Sequence, residues 1–387
     1  MNGFLRQLVT NSSLRAHRDG KCYVKENNKN LAVFIYDFQP RGVQKVQIRI
    51  ANQLVKLGFS VDALVFQRNG PLLSELDSNI TIVDFASKST KAGALKILWY
   101  LYKRQPRIVF AAEDNINLVF LTAKLLGLYQ NKISISCHVS PRLWAQNVKF
   151  ISKRWIMKQL VVRMYPKADQ VVMPSSGMIA EYQTLVGLQQ SKFKVIGNPI
   201  SSVEEINARN IDMSSYGSSQ IILGVGSLSK IKGFDVLIRA FSIVSKSKDC
   251  QLIIIGQGPE ISNLTKLAVS FGVSNKLQFI PFHPCPSEYM LNADVFVLSS
   301  RSEGFGNVLA EALACGCPVV STRCGGGVEE ILEQGRLGPI VAVDAVDELA
   351  FQICEVLDAP PDPKVLITSA NRYADNVVVD EYLKDLL

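Results

Sequence analysis

Short apolar runs alternate with amphipathic stretches along most of the chain. LAVFIYDF, FSVDALVF and RIVFAAED in the first half have the length and composition of buried strands, as do IILGVGS, QLIIIG and DVFVLSS in the second. Between them, stretches such as VQKVQIRIANQLVKLG repeat apolar residues at helical spacing. Strands that alternate with helices predict parallel β–α–β units, and therefore an α/β fold with open, doubly wound sheets.

One polar segment, SSVEEINARNIDMSSYGSSQ, interrupts this alternation and is interpreted as an interdomain connection. The pattern predicts a basic N-terminal extension over 1–30 and a Rossmann-like domain over 31–200. A second Rossmann-like domain is predicted over 201–366, followed by a helical segment over 367–387 that crosses back to the first domain. Two such domains enclose a cleft that the carboxyl ends of their strands face.

Composition describes a globular protein with oppositely charged halves. The 387 residues are 48% hydrophobic and 20% charged, and no run approaches the roughly 18 apolar residues of a membrane span. The first 30 residues lack the apolar core of a secretory signal. Residues 1–200 carry 28 Lys and Arg against 11 Asp and Glu, whereas residues 201–387 carry 14 against 23. The first domain is therefore expected to face an anionic partner.

The segment EGFGNVLAE (303–311) follows the predicted strand DVFVLSS and has the pattern of a turn that opens a helix. Backbone N–H groups in a glycine turn and at a helix N-terminus bind anions, phosphate above all. Gly304 and Gly306 have no side chains to block a ligand, and Glu303 and Glu311 can accept hydrogen bonds from vicinal hydroxyls. This combination suits a sugar nucleotide. The plain alternative is a glycine turn followed by an ordinary helical glutamate.

Three further segments place polar groups where predicted strands end. In GVGSLSKIKGFD, Lys230 and Lys232 precede a helix and can neutralise phosphate oxygens, unless they are simply solvated loop lysines. In SCHVSP, His138 can bond a sugar hydroxyl or shuttle a proton, unless it is a structural histidine. In QPRGVQK, Gly42 either lets backbone amides meet a diphosphate from the opposite wall or forms a simple turn.

An ordered series of motifs over about 221–343 resembles the C-terminal domain of the retaining glycosyltransferases of family 4. It comprises GSLSKIKGFDVLIRAF, GQGP, LQFIPF and YMLNADVFVLSSRSEGFGNVLAEALACGCPVVST, and its most diagnostic part is the Glu-x7-Glu element. The first half matches more weakly, through RGVQKVQIRIANQLVKLG, SCH and KVIGNPI. The resemblance implies the GT-B fold, in which two Rossmann-like domains face each other across a cleft, and metal-independent transfer of a hexose.

Carried over by position, the resemblance also implies roles for the candidate residues. Glu303 would lie near the reacting centre of the transferred sugar, and Glu311 would hold the ribose. Lys232 would bind phosphate, His138 would lie near the donor sugar, and Gly42 would belong to the N-terminal glycine loop. Contacts from backbone amides to sugar and phosphate would come from Gly304, Phe305, Gly306 and Asn307.

Two positions depart from the family pattern. Ser227 stands where the family usually has an arginine, so one phosphate contact is missing, with Lys230 or Arg301 as substitutes. Arg41 and Gly42 stand where the first loop usually has paired glycines. Both departures bear on how the diphosphate is held, and neither removes the core of the site.

The resemblance implies a retaining reaction with no cofactor and no metal, and the lack of a strand-end Asp-x-Asp motif agrees with this. A UDP-linked hexose or N-acetylhexosamine is preferred over GDP-mannose as the donor. The expected acceptor is a glycan or a lipid-linked saccharide in surface polysaccharide or lipopolysaccharide biosynthesis. The expected location is the cytoplasm, with peripheral contact to the cytoplasmic face of the membrane.

The partners expected for the basic first domain are anionic membrane lipid or a polyprenyl-pyrophosphate-linked saccharide. KFISKRWIMKQLVVRMYPK mixes basic and apolar residues without separate faces, and predicts a core helix with solvated charges; membrane docking is the alternative. Nucleic acid is not expected, because no aromatic stacking surface accompanies the charge.

The alternative functions are a non-catalytic sugar-nucleotide-binding relative, which Ser227 favours, and a sugar-nucleotide epimerase on the same scaffold.

Overall fold

The computed structural model describes residues 30–145, 149–189, 193–201 and 219–387. The predicted basic extension, apart from Asn30, and most of the predicted interdomain connection lie outside the described residues.

The first domain is built on a parallel sheet of seven strands. Their order across the sheet is β3-β2-β1-β4-β5-β6-β7. The β-branched residues that fill these strands pack well on a pleated surface that helices cover on both faces. The strands are β1 (Asn30–Ile35), β2 (Ser60–Val65), β3 (Thr81–Asp84), β4 (Ile108–Ala112), β5 (Lys132–Ser136), β6 (Gln170–Met173) and β7 (Phe193–Val195).

The second domain repeats this plan with a parallel sheet of six strands. Their order is β10-β9-β8-β11-β12-β13. In both sheets the first strand of the domain lies inside, with its sequence neighbour on one side and a later strand on the other, as in a doubly wound fold. The strands are β8 (Gln220–Val225), β9 (Cys250–Ile255), β10 (Leu277–Ile280), β11 (Val295–Leu298), β12 (Val319–Thr322) and β13 (Ile340–Val341).

Helices connect the strands and cover both faces of each sheet. Those of the first domain are α1 (Gly42–Lys56), α2 (Thr90–Arg104), α3 (Asp114–Leu125), α4 (Arg142–Ala145), α5 (Lys153–Met164) and α6 (Ser176–Glu181). Those that follow the second domain's first strand are α7 (Phe234–Val244), α8 (Ile261–Ser270), α9 (Ser287–Met290), α10 (Asn307–Ala314), α11 (Val328–Ile331), α12 (Val346–Asp358), α13 (Pro363–Ala370) and α14 (Asp375–Leu383). Within the described residues, none of these helices has the length and apolar character needed to cross a membrane.

The C-terminal helix α14 packs on the first domain although it follows the second in sequence. Its buried residues Val378, Val379, Tyr382 and Leu383 belong to the apolar core under β1. A backbone bridge between Ile200 and Ala374 lies beside the point where the chain crosses. The crossing helix therefore ties the two domains together by burial of apolar side chains.

The strand order of each sheet locates its ligand-binding edge. In a doubly wound sheet, ligands bind beyond the carboxyl ends of the strands, where the strand order reverses. In the first domain this point lies between β1 and β4, and in the second it lies between β8 and β11. The loops that follow these strands supply the residues of the site described next.

Candidate active site

Helix α10 begins in the cleft directly after the glycine turn of residues 303–306. Its N-cap, Gly306, has φ 103°, a left-handed conformation that glycine adopts without steric penalty. The N–H groups of Asn307 and Val308 have no partners within the helix and remain available to an anion, whereas that of Leu309 donates to the Gly306 carbonyl over 2.9 Å. The sequence thus places a group of N–H donors at this edge because glycine permits the turn that precedes them.

Lys232 and Glu303 form an ion pair at the edge of this turn. The Lys232 Nζ lies 2.6 Å from Glu303 Oε1, and the Ser300 hydroxyl donates to the same oxygen over 2.6 Å. Both side chains are largely buried. Among the described residues nothing bonds the second oxygen, Oε2, so that oxygen can accept from a ligand hydroxyl.

Two strand ends fix the position of Lys232. It closes the 3₁₀ turn Lys230–Lys232, which follows β8 and precedes α7. The Ser299 hydroxyl, at the end of β11, donates to the Lys232 carbonyl over 3.0 Å. Since Glu303 also follows β11, one strand end holds both members of the pair.

The cleft is closed at Gly304. A methyl group built on this residue would lie 2.1 Å from the carbonyl oxygen of His138, which belongs to the other domain. No side chain fits in that gap, so the close approach of the two domains requires glycine here.

Two helix N-termini meet across the cleft beside this contact. A methyl group built on Gly42, the first residue of α1, would lie 3.4 Å from the side-chain nitrogen of Asn307, the first residue of α10. The Asn198 amide donates to the Asn307 side-chain oxygen over 2.7 Å. Both helix dipoles therefore point their positive ends at one region, which favours a diphosphate there.

His138 lies on the first-domain wall with its ring nitrogens in different surroundings. Nε2 is 2.8 Å from the Ser136 hydroxyl, whereas Nδ1 is buried without a partner among the described residues. Burial lowers the pKa of His138 to about 4, an effect that the nearby Asn198 side chain partly opposes. The imidazole is therefore neutral near pH 7. This suits a hydrogen-bond partner for a sugar hydroxyl and disfavours the predicted proton shuttle.

Arg301, one of the two predicted substitutes for the arginine whose place Ser227 takes, is bound to acidic side chains in this structure. Its guanidinium binds both carboxylate oxygens of Asp235, at 2.9 and 2.7 Å, and also Asp344 at 2.8 Å. These ion pairs raise the pKa of Arg301 and lower the pKa of Asp235, against the opposing effect of desolvation on each. In this structure the guanidinium is thus shared between two carboxylates, and a role for Arg301 as a donor-phosphate ligand stays a prediction. Lys230, the other predicted substitute, is exposed.

The other predicted residues lie on the second-domain wall or just behind it. The Phe305 ring is buried and packs edge-on against Tyr373 at 5.3 Å, so only its backbone can meet a donor. Glu311 lies one turn into α10, half-buried, with no hydrogen-bond partner in the described part of the chain. Ser227 is exposed, with its hydroxyl 3.1 Å from that of Ser229.

Sequence reasoning missed three polar contributors. Asn198 joins the domains through Asn307, and Ser300 holds Glu303. Across the cleft the backbone N–H of Ser176 donates to Glu330 Oε1 over 2.7 Å. The first two follow strands directly, in KVIGNPI and DVFVLSS, and a search for polar residues just past strand ends would have found them. Nothing in the sequence indicates the pairing of Ser176 with Glu330.

Solved structures with this architecture define the class of protein. The chain superposes on a glycosyltransferase from Rickettsia africae with a TM-score of 0.76 at 18% identity, covering 92% of this chain and 98% of that one. It superposes equally well on Anabaena Alr3699/HepE in complex with UDP and glucose, with a TM-score of 0.76 at 18% identity. This superposition covers 93% of this chain and 99% of HepE. The fold is therefore GT-B, the two-domain fold of glycosyltransferases.

Sequence comparison then defines the family. The family model described as "Glycosyltransferase Family 4" matches residues 40–203, and the model described as "Glycosyl transferases group 1" matches residues 211–373. The chain belongs to these glycosyltransferases.

Two curated relatives come from bacterial glycan synthesis. One is the N-acetylgalactosamine-N,N'-diacetylbacillosaminyl-diphospho-undecaprenol 4-alpha-N-acetylgalactosaminyltransferase of Campylobacter jejuni, 27% identical over 82% of this chain and 87% of that protein. The other is the lipopolysaccharide core biosynthesis glycosyltransferase LpsE of Rhizobium meliloti, which is 29% identical over 50% of this chain and 55% of LpsE.

Proposed function

We propose that this chain transfers a hexose or N-acetylhexosamine from a nucleoside-diphosphate sugar to a glycan or lipid-linked saccharide. The names of the Campylobacter and Rhizobium relatives support an acceptor of this kind and a place in surface polysaccharide or lipopolysaccharide biosynthesis. A UDP-sugar is the preferred donor, supported by the UDP and UDP-glucose complexes of HepE.

The observation that carries the proposal is the Lys232–Glu303 pair beside the start of α10. As the bond between the anomeric carbon and the phosphate oxygen breaks, negative charge develops on the diphosphate. Lys232 and the N-terminal amides of α10 neutralise that charge without a metal. The free oxygen of Glu303 accepts from a sugar hydroxyl and favours positive charge at the anomeric carbon.

Retention follows from attack on the face that the diphosphate leaves. The acceptor oxygen bonds to the anomeric carbon, and its proton passes to the departing phosphate oxygen. This accounts for the reaction without a general base on the first-domain wall, where the low pKa of His138 makes it a weak base. An α-linked donor then gives an α-linked product.

A thermal-shift screen of UDP- and GDP-sugars, followed by product detection with the best stabiliser, tests this function. We expect one nucleotide sugar to raise Tm and to donate its sugar with retained configuration, with turnover undiminished in EDTA. A stabilising donor that is never consumed, with any lipid-linked or glycan acceptor, would favour the non-catalytic alternative. Conversion of the donor to its epimer without an acceptor would favour the epimerase.

A further inference from the structure

Two large apolar side chains project from a turn on the first domain. In the turn 149–152, the Ser152 N–H donates to the Lys149 carbonyl over 3.1 Å, which closes the turn just before α5. Phe150 and Ile151 occupy its two central positions and are 75% and 65% exposed. Turn tips usually carry small or polar residues, so this exposure needs an explanation other than the turn itself.

Ile151 is also in an unfavourable backbone conformation. Its φ is 61°, in the left-handed region that glycine or asparagine ordinarily occupies and that a β-branched residue rarely adopts. The side chain gains no burial in return. Strain that local packing does not offset is found where a residue serves a function.

The outer face of helix α5 continues the apolar surface. Ile156 and Leu160, one turn apart, are both exposed, and the Phe150 ring packs edge-on against Trp155 at 4.9 Å. In the described residues of α5, only Val161 and Met164 are buried, both in its second half. In the first half Met157 packs against the core while Ile156 is exposed, so the prediction of a core helix is confirmed there only in part.

The charged residues of the turn and of α5 have one sign. Residues 149–168 contain six Lys and Arg and no Asp or Glu. Lys149, Lys153 and Arg154 are exposed and flank the turn tip directly. Basic residues are attracted to an anionic bilayer, and apolar residues beside them can enter the headgroup region.

The topology places the turn tip at the rim of the cleft. Strand β5 ends at the carboxyl edge of the sheet, two residues before His138. Helix α5 leads back to the start of β6, so its first turn, with Phe150 and Ile151 before it, lies at that same edge. A surface that holds this edge against a bilayer would bring the opening of the cleft to the bilayer.

We propose that an interfacial patch docks this domain onto an anionic phospholipid bilayer; the patch consists of Phe150, Ile151, Ile156 and Leu160 with the flanking Lys149, Lys153 and Arg154. An exposed apolar turn flanked by basic residues fits an anionic bilayer better than a protein surface of mixed charge. Its purpose rests on the proposed function, because a lipid-linked acceptor would then reach the cleft from the membrane. Binding itself can be measured without turnover.

The test is co-sedimentation with vesicles of phosphatidylcholine containing about a third phosphatidylglycerol. The wild-type chain should bind these vesicles, bind pure phosphatidylcholine much less, and be released by high salt. Phe150→Ser with Ile151→Ser should lower the binding constant at least tenfold. The matched control, Leu125→Ser with Leu126→Ser, changes two side chains that are each 54% exposed at the opposite edge of the same domain, and should bind like wild type.

A single variant separates docking from folding. Ile151→Asn puts a polar residue that tolerates the left-handed conformation at the strained position. It should weaken vesicle binding severalfold while Tm stays unchanged or rises. Equal binding by the wild type and both patch variants would overturn the proposal. The proposal would also be overturned if sedimentation showed a concentration-dependent dimer that the Phe150 and Ile151 variants abolish. A wild-type chain that binds vesicles but transfers no sugar to a soluble acceptor would instead count against the proposed function.

Discussion

Glu303 accepts two hydrogen bonds on one oxygen and none on the other within the described residues, and this asymmetry defines its role. Lys232 and Ser300 fix the carboxylate through Oε1, leaving Oε2 available for substrate. A negative charge in that position matters chiefly when positive charge develops on the sugar. Its loss should therefore affect turnover more than nucleotide binding.

Glu303→Gln should lower kcat by about 10²–10³, the scale on which one electrostatic contact in an active site acts. Affinity for UDP should change only a few-fold, since the nucleotide does not need this charge. Steady-state kinetics and calorimetry measure the two quantities. Ser300→Ala is the control for positioning, and should reduce kcat less because Lys232 still holds the carboxylate. A glutamine variant with wild-type kcat would contradict the role.

His138 should titrate near pH 4. Its pKa in the folded chain lies below the unfolded value of about 6.5, so the unfolded chain takes up a proton first as pH falls. The neutral histidine therefore contributes its full stabilisation above pH 6.5. As the pH falls from 6.5 to about 4 this stabilisation is lost, and the free energy of unfolding decreases by about 3 kcal/mol.

Nuclear magnetic resonance can follow this titration directly, since the chain has three histidines. The signal that His138→Gln removes identifies the residue. A midpoint near 4 is expected, and a midpoint at 6 or above would show that the ring is solvated and free to act as a proton shuttle.

The sequence predicted the site best where motif and strand end coincide. Lys232, Glu303 and Gly304 each stand in a loop just after an apolar run, and parallel strands bring such loops to one edge. The ion pairs of Arg301 could not be predicted, because its partners, Asp235 and Asp344, lie 66 and 43 residues away in sequence. Ion pairs of that separation depend on the packing of loops that no local pattern encodes.

At the scale of elements, the glycine turn before α10 sets how closely the domains approach. Gly304→Ala would place a methyl group against the His138 carbonyl, and the backbone on either side has little room to move. The variant should keep its fold and Tm, because the clash is between domains, yet lose most of its kcat. Kinetics together with small-angle scattering would check this. A fully active alanine variant would show that closure at Gly304 is not needed.

Strands and helices were predictable because alternation and helical spacing repeat consistently along both domains. Helix α5 is the exception among the elements considered. Its burial increases along the helix, from a first half that is only partly buried, with Met157 against the core, to Val161 and Met164 within the core. A periodicity averaged over the whole helix therefore has no clear face, and only the position of neighbouring elements shows which half is covered.

For the whole molecule, helix α14 joins the two domains by burying apolar residues under the first sheet. Val379→Ala should lower the free energy of unfolding by about 2 kcal/mol, from lost burial and a residual cavity. Val377→Ala, the same change at an exposed position of the same helix, should cost less than about 0.5 kcal/mol. Urea unfolding of both variants measures the difference. Equal effects would indicate that α14 does not pack as described.

The central claim is that the second domain holds a nucleoside diphosphate through Lys232 and the first amides of α10. Calorimetric titration of UDP, GDP and uridine into the wild type and Lys232→Ala tests it most directly. One of the two diphosphates should bind the wild type, and Lys232→Ala should weaken it at least tenfold while leaving uridine unchanged. Equal diphosphate affinity in the two proteins, or no heat with either diphosphate, would contradict the account.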